Sequence, residues 1–207
     1  MKRLSVLIVM FVGLLAQAAA AQPVKIVALG DSLTAGYGLG AGDGFTDRLQ
    51  ARLKADGLEA TVVNAGVSGD TSKGGLARLD WSVPDDTTLV ILELGANDAL
   101  RGIEPAQTRA NLDAMLTRLK ARNITVLLAG MIAPPNMGED YGKAFNPIYG
   151  ELALKHDVAL YPFFLDGVAG EASLNQADGM HPNAEGIGVI VERIAPAVLE
   201  VLGRNQS

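Results

Sequence analysis

Two short stretches carry side chains able to break a bond between them. "GDSL", Gly30 to Leu33, places a serine where an apolar run stops. "ADGMHPN", Ala177 to Asn183, holds Asp178 and His181 three residues apart, with Pro182 closing the turn. A serine hydroxyl is a weak nucleophile unless a neighbouring base takes its proton. A histidine serving as that base needs its tautomer fixed, and a carboxylate on the other ring nitrogen does this. The chain offers two histidines. His156, in "ELALKHDV", stands near the end of a helix-period segment and reads as either a solvated residue or one that complements the helix dipole. His181 is therefore the candidate base, with Asp178 as its orienting carboxylate and Ser32 as the nucleophile. Taken alone, Gly30-Asp31-Ser32 reads as a turn and helix cap, since Ser and Asp are common there.

Attack on a carbonyl also needs donors fixed in advance for the developing oxyanion. "NAGVSGDTSKGG" offers Gly69, whose missing side chain lets a backbone N–H approach closely. "ELGANDALRG" offers the side-chain amide of Asn97. Turn chemistry alone would explain either stretch. Asp31 and Asp98 read as residues that orient the loops through backbone hydrogen bonds. Glu93, closing an apolar run, reads as a partly exposed edge residue, and Trp81 as core.

These residues need a scaffold that gathers them. Val24 to Leu29, Ala60 to Asn64, Leu89 to Leu94, Thr125 to Ala129 and Val158 to Tyr161 are short apolar runs, several of them reading as strands buried on both faces. Helix-period segments lie between. Phe45, Leu49 and Leu53 precede Gly57; Leu112, Met115, Leu116 and Leu119 lie between Pro105 and Asn123; Ile187, Ile190, Val191, Ile194 and Val198 follow Asn183. Pro196 is expected to kink the last helix. Tyr141 to Lys155 is a weaker helix interrupted by Pro147 and Gly150. Gly130 to Tyr141 is the longest irregular stretch, either a binding loop or a surface excursion. Alternating strands and helices imply a central, mainly parallel sheet with helices on both faces. Ligands then bind beyond the carboxyl ends of the strands, which is where Ser32, Gly69 and Asn97 would stand.

Composition narrows the function. The 207 residues include 17 basic and 23 acidic side chains, a net charge of −6, and no basic tract, which argues against nucleic acid and anionic membrane partners. There is no cysteine, so disulfides, thiolate metal sites and a cysteine nucleophile are excluded, and two histidines cannot make a three-histidine metal site. The first residues form a basic start at Lys2 and Arg3, an apolar run from Leu4 to Leu15, and small residues through Ala18 to Ala21. This reads as a signal peptide over 1–21, too short to span a membrane comfortably, followed by one domain over 22–207.

"GDSL", Gly69 in "SGDT", "GAND" at Gly95 to Asp98, and "DGMHP" at Asp178 to Pro182 resemble, in order, the four sequence blocks of the SGNH (GDSL-type) hydrolases. The similarity covers nearly all of 22–207. "NAGVSGDTSKGGLARL" and "ELGANDALRG" are similar to the secreted bacterial branch with thioesterase, lysophospholipase and arylesterase activity. The resemblance implies a flavodoxin-like, three-layer α/β/α sandwich around a five-stranded sheet. It also implies a Ser32, Asp178 and His181 triad, and an oxyanion hole from the Ser32 and Gly69 N–H groups and the Asn97 amide. Met131, Ile132, Pro134 and Pro135 would line an acyl channel. Ala96 and Ala99 stand where that branch often has glycine, which bears on the mobility of the Asn97 loop. The reading implied is a secreted, periplasmic, monomeric serine esterase acting on esters, thioesters or lysophospholipids through an acyl-enzyme, with no metal or organic cofactor.

Four other readings compete. An acetyl-carbohydrate esterase would keep the machinery and change the substrate. A non-catalytic flavodoxin-like binding module would need only the strand-end pocket. A phosphotransferase with Asp31 as nucleophile lacks the second carboxylate expected two residues on, where Leu33 stands. The G-x-S-x-G elbow of the α/β-hydrolases fails at Thr34.

Overall fold

The computed structural model describes residues 24–204, so the segment read as a signal peptide lies outside the described residues. Five strands form one parallel sheet in the order β2-β1-β3-β4-β5. They are β1 (Val24–Gly30), β2 (Ala60–Gly66), β3 (Leu89–Glu93), β4 (Thr125–Ala129) and β5 (Ala159–Tyr161). The helices are α1 (Ser32–Ala35), α2 (Phe45–Ala55), α3 (Ser72–Ser82), α4 (Ala96–Leu100), α5 (Pro105–Ala121), α6 (Glu139–Phe145), α7 (Ile148–His156) and α8 (Ala184–Arg204). Helices α2 and α8 pack on each other, α3, α5 and α7 pack in series, and both sets contact the sheet. This is the three-layer α/β/α architecture expected.

The central strands are apolar because both of their faces are covered. Ile26 to Leu29 and Leu89 to Leu92 are wholly buried. Removing each large aliphatic side chain from water is worth about 1.5–3 kcal/mol. Helix α8 buries Ile187, Ile190, Val191, Ile194 and Val198, the stripe seen in the sequence. It runs as one helix through Pro196. The lost N–H costs about 3 kcal/mol or more, which the buried stripe can outweigh. Pro147 precedes α7 and separates it from α6, whereas Gly150 sits inside α7. The irregular stretch after β4 is shorter than expected, since a 3₁₀ turn forms at Pro135–Met137 and α6 starts at Glu139.

Three expectations are corrected. Trp81 is not core: it is 76% exposed. Helix α3 buries Ser72, Gly75, Arg78 and Leu79, and a residue two past Leu79 faces the opposite side at 100° per residue. Glu93 is not a partly exposed edge residue: it is fully buried, because β3 lies between β1 and β4. His156 is at the end of α7 but is largely buried, its Nε2 2.5 Å from Asp113 Oδ1 on α5.

Register brings the strand ends level. Leu29 stands beside Leu92, and Gly30 beside Gly66. The order places β1 next to β3, the point at which connections diverge to opposite sides of the sheet and a crevice opens. Close packing there depends on glycine. A Cβ on Gly66 would lie 2.3 Å from Ala35 N, and one on Gly30 would lie 2.1 Å from Thr34 Oγ1. Gly66→Ala is expected to lower the melting temperature by several degrees, given overpacking costs of about 1–3 kcal/mol and about 2–4 °C per kcal/mol at this size. Gly150→Ala, with open space around its Cβ inside a helix, is expected to raise it slightly. Equal melts for the two variants would contradict this packing.

Candidate active site

Strand β1 ends at Gly30, and the chain turns at once into α1. Asp31 is the N-cap of that helix and its Oδ1 accepts the Leu33 N–H at 3.0 Å. Ser32 is therefore the first helical residue, with its own N–H at the positive end of the short helix. The other Asp31 oxygen, Oδ2, accepts the Asn97 amide at 2.9 Å. One carboxylate thus holds both the turn that carries Ser32 and the loop that carries Asn97.

Beneath this turn lies Glu93. Its Oε2 accepts the Thr34 hydroxyl at 2.8 Å and the Asp31 N–H at 3.3 Å, while Oε1 is buried with no hydrogen-bond partner. Thr34, the residue that departs from the α/β-hydrolase elbow, anchors this turn through Glu93. Burial pushes the Glu93 carboxyl well above the ordinary carboxylate range, and the Asp31 charge adds to that shift. Burial also raises Asp31, to about 6, against the lowering effect of the Leu33 and Asn97 hydrogen bonds. Burial thus disfavours the charged form of both carboxyls.

The turn holding His181 is closed by a bridge between Asn175 and Pro182 and by the Gln176 N–H donating to His181 O at 2.7 Å. Asp178 Oδ1 accepts the N–H groups of Met180 and His181 at 2.9 and 3.0 Å. Those two bonds, with the imidazole, hold its carboxyl down at about 2. Its Oδ2 lies 2.6 Å from His181 Nδ1. The opposite nitrogen, Nε2, lies 3.0 Å from Ser32 Oγ. With its proton on Nδ1, facing the carboxylate, the ring presents an acceptor to the Ser32 hydroxyl.

The remaining loops are braced from below. Asp98, fully buried, accepts the Ser72 N–H at 2.8 Å and the Thr108 hydroxyl at 3.0 Å, joining α3, α4 and α5. Arg101, just past α4, donates to the Gly69 carbonyl at 2.6 Å, so the Gly69 and Asn97 loops are linked directly. Arg78 donates to Gly30 O at 2.8 Å, Ala65 O at 2.7 Å and Asp70 at 2.7 Å, binding the ends of β1 and β2 to the Gly69 loop. Asn97 Nδ2 has two hydrogens, of which Asp31 takes one. Asp31 and Asp98 orient loops as the sequence suggested, but through side chains and hydroxyls as well as backbone groups.

A cavity of about 590 Å³ opens beside Ser32, Asn97 and His181. Met131, Ile132, Pro134 and Pro135 all form part of its wall. Met131 is buried and Ile132 half-exposed. Leu33, Leu100, Phe163 and Leu165, which sequence reasoning did not single out, complete the apolar lining. Gly69 does not line this cavity; it stands on the neighbouring loop. Phe163 and Leu165 follow β5 in "YPFFLDG", so the rule that ligands gather after strand ends could have found them.

Residues 28–187 match the family described as GDSL-like Lipase/Acylhydrolase. Esterase TesA of Pseudomonas aeruginosa is 44% identical over 190 residues, 91% of this chain and 94% of that protein. The thioesterase 1/protease 1/lysophospholipase L1 of Escherichia coli strain K12 is 40% identical over 187 residues, 90% of this chain and 88% of that protein. The crystal structure of AlinE4, an SGNH-hydrolase family esterase, superposes with a TM-score of 0.74 at 46% identity, covering 87% of this chain and 97% of that one.

The raised Asp31 carboxyl has a consequence for stability. Between its unfolded value near 3.8 and about 6, the folded state binds more protons than the unfolded one. The contribution of Asp31 to stability therefore falls as pH rises through that window, and the penalty is complete above it. The melting temperature of Asp31→Asn minus that of the wild type is expected to be more positive at pH 8 than at pH 4. Melts at the two pH values check this, and a difference of the opposite sign would contradict the assignment. The same variant is expected to lose activity, because Asn97 then faces an amide that can no longer accept as a carboxylate does.

Proposed function

The chain belongs to the GDSL-like lipase/acylhydrolase family, and on that footing we propose a carboxylic ester hydrolase that works through an acyl-enzyme on Ser32. The observation that carries the reading is the continuous chain of contacts from Ser32 Oγ to His181 Nε2 at 3.0 Å and from His181 Nδ1 to Asp178 at 2.6 Å. Ser32 Oγ attacks the substrate carbonyl carbon while its proton passes to His181 Nε2. The oxyanion is met by the N–H groups of Ser32 and Gly69 and by the free hydrogen of the Asn97 amide. The bond from carbon to the leaving oxygen or sulfur then breaks, and His181 gives its proton to the leaving group. Water then attacks the acyl carbon while His181 takes its proton, the bond from carbon to Ser32 Oγ breaks to release the acid, and the proton passes from Nε2 back to Oγ.

The apolar cavity favours acyl or aryl esters over an acetylated sugar. A wall built from Leu33, Leu100, Met131, Phe163 and Leu165 gives hydroxyl groups few partners, whereas an acyl chain gains from leaving water. The relatives named as esterase, thioesterase and lysophospholipase support esters, thioesters and lysophospholipids as the substrate range. The chemistry as written calls for no cofactor. In this reading residues 1–21 direct export and are removed after Ala21, and a monomer acts in the periplasm. N-terminal sequencing of the exported protein tests the cleavage site.

A fluorophosphonate is expected to label the wild type once and to leave Ser32→Ala unlabelled. No labelling of folded wild type would favour the binding-module reading instead. Asn97→Ala is expected to lower kcat by about 10²–10³ with little change in KM; full kcat in this variant would remove Asn97 from the oxyanion site. A panel of p-nitrophenyl esters, acyl-CoA thioesters and lysophospholipids is expected to show higher kcat/KM for medium or long acyl groups than for acetate. The reverse order would favour the acetyl-carbohydrate reading.

A further inference from the structure

Tyr37 follows the glycine that ends α1, and its ring stands against His181. The ring centroids are 4.6 Å apart and the planes are inclined by 41°. The loop is clasped in that position. Gln176 Nε2 donates to Tyr37 O at 2.7 Å and to Pro182 O at 3.0 Å. The Gln176 N–H also donates to His181 O at 2.7 Å. Gly38 makes room for the clasp: its φ is +72°, and a Cβ there would lie 2.2 Å from Gln176 Oε1. One glutamine thus joins the backbone of Tyr37 to the turn that carries His181.

We propose that Tyr37 is a positioning residue that stabilises the charged form of the His181 ring through its aromatic face, and that Gln176 holds it there. The inference rests on His181 acting as the base in the reaction above. The face of an aromatic ring carries negative potential and attracts a cation within about 6 Å of its centroid. A neutral imidazole gains less. The imidazolium forms when the Ser32 proton moves to Nε2, and again when water is deprotonated in deacylation. Tyr37 therefore acts more strongly on the transition states than on the resting enzyme, which is the condition for raising kcat. The charged groups facing the imidazole are Asp178 from its own turn and Asp31 from the β1–α1 turn. Both favour the charged ring, and both are retained in every variant used below.

The test is Tyr37→Phe followed by the same position carrying phenylalanine with one, two and three ring fluorines. Fluorination keeps the shape of the ring and removes the negative potential of its face in steps. With an ester whose chemistry limits the rate, kcat is expected to fall progressively by about two- to fivefold. The acid limb of the pH–kcat profile is expected to move progressively to lower pH, by up to about half a unit, with KM flat. Gln176→Ala is expected to move the acid limb in the same direction. A flat series overturns the proposal. So does a fall in kcat with an unmoved acid limb, or a rise in KM alone, which would make Tyr37 a substrate contact. Labelling of each variant by one fluorophosphonate at Ser32 keeps the two inferences separable: an unlabelled wild type defeats the serine-esterase reading, whereas labelled variants with a flat series defeat only the role of Tyr37.

Discussion

The site is organised by one buried carboxylate. Asp31 accepts a hydrogen bond from the Leu33 N–H with one oxygen and from the Asn97 amide with the other. The first bond ends β1 and starts α1, which fixes where Ser32 points. The second fixes the Asn97 amide at the edge of the cavity. Each requirement could be met separately by other residues, but a single group meeting both keeps Ser32 and the Asn97 amide in constant relation. The parallel register of β1 and β3 makes this possible, because it brings the two strand ends level and adjacent.

That arrangement opposes stability. Asp31 and Glu93 are both fully buried and near one another, and low polarity disfavours two charges there. Burial raises both carboxyls above the ordinary carboxylate range, Asp31 to about 6. Glu93 also keeps a buried oxygen without a hydrogen-bond partner, a cost usually found where function demands it. The carboxylate beside His181 is treated in the opposite way. Asp178 sits in an exposed turn and accepts two backbone N–H groups, so its charge persists far into acid. Two aspartates close to one serine are thus separated by environment: one is raised by burial, the other lowered by hydrogen bonds.

Much of this was legible in the sequence, for physical reasons that vary along the chain. Strands β1, β3 and β4 are buried on both faces and so appear as continuous apolar runs. Helices α2, α5 and α8 each bury one face and show their period. Helix α3 was missed because its inward positions include Ser72, Gly75 and Arg78, which carry no apolar signal. Those residues serve the site: Arg78 holds the strand ends and Ser72 binds Asp98. Helix α4 is five residues long, starts within the "GAND" stretch and ends two residues past it. Glu93 was misread because a charged residue at the end of an apolar run looks like an exit to solvent. Its burial depends on Thr34 and Asp31, some 60 residues away, and no local pattern reports that contact. The contact between Asp178 and His181 was legible because it is local and histidine is scarce: two histidines in all, one of them three residues from an aspartate.

The account turns on Ser32, His181 and the oxyanion donors forming one reaction centre. A crystal structure of the phosphonylated protein tests this most directly. A bond from Ser32 Oγ to phosphorus is expected, with one phosphonyl oxygen about 2.7–3.1 Å from the N–H groups of Ser32 and Gly69 and from Asn97 Nδ2. The alkyl group should lie in the cavity beside Met131 and Leu33. A phosphonyl oxygen turned away from Asn97 and Gly69, or phosphorus bonded to any residue other than Ser32, would contradict it.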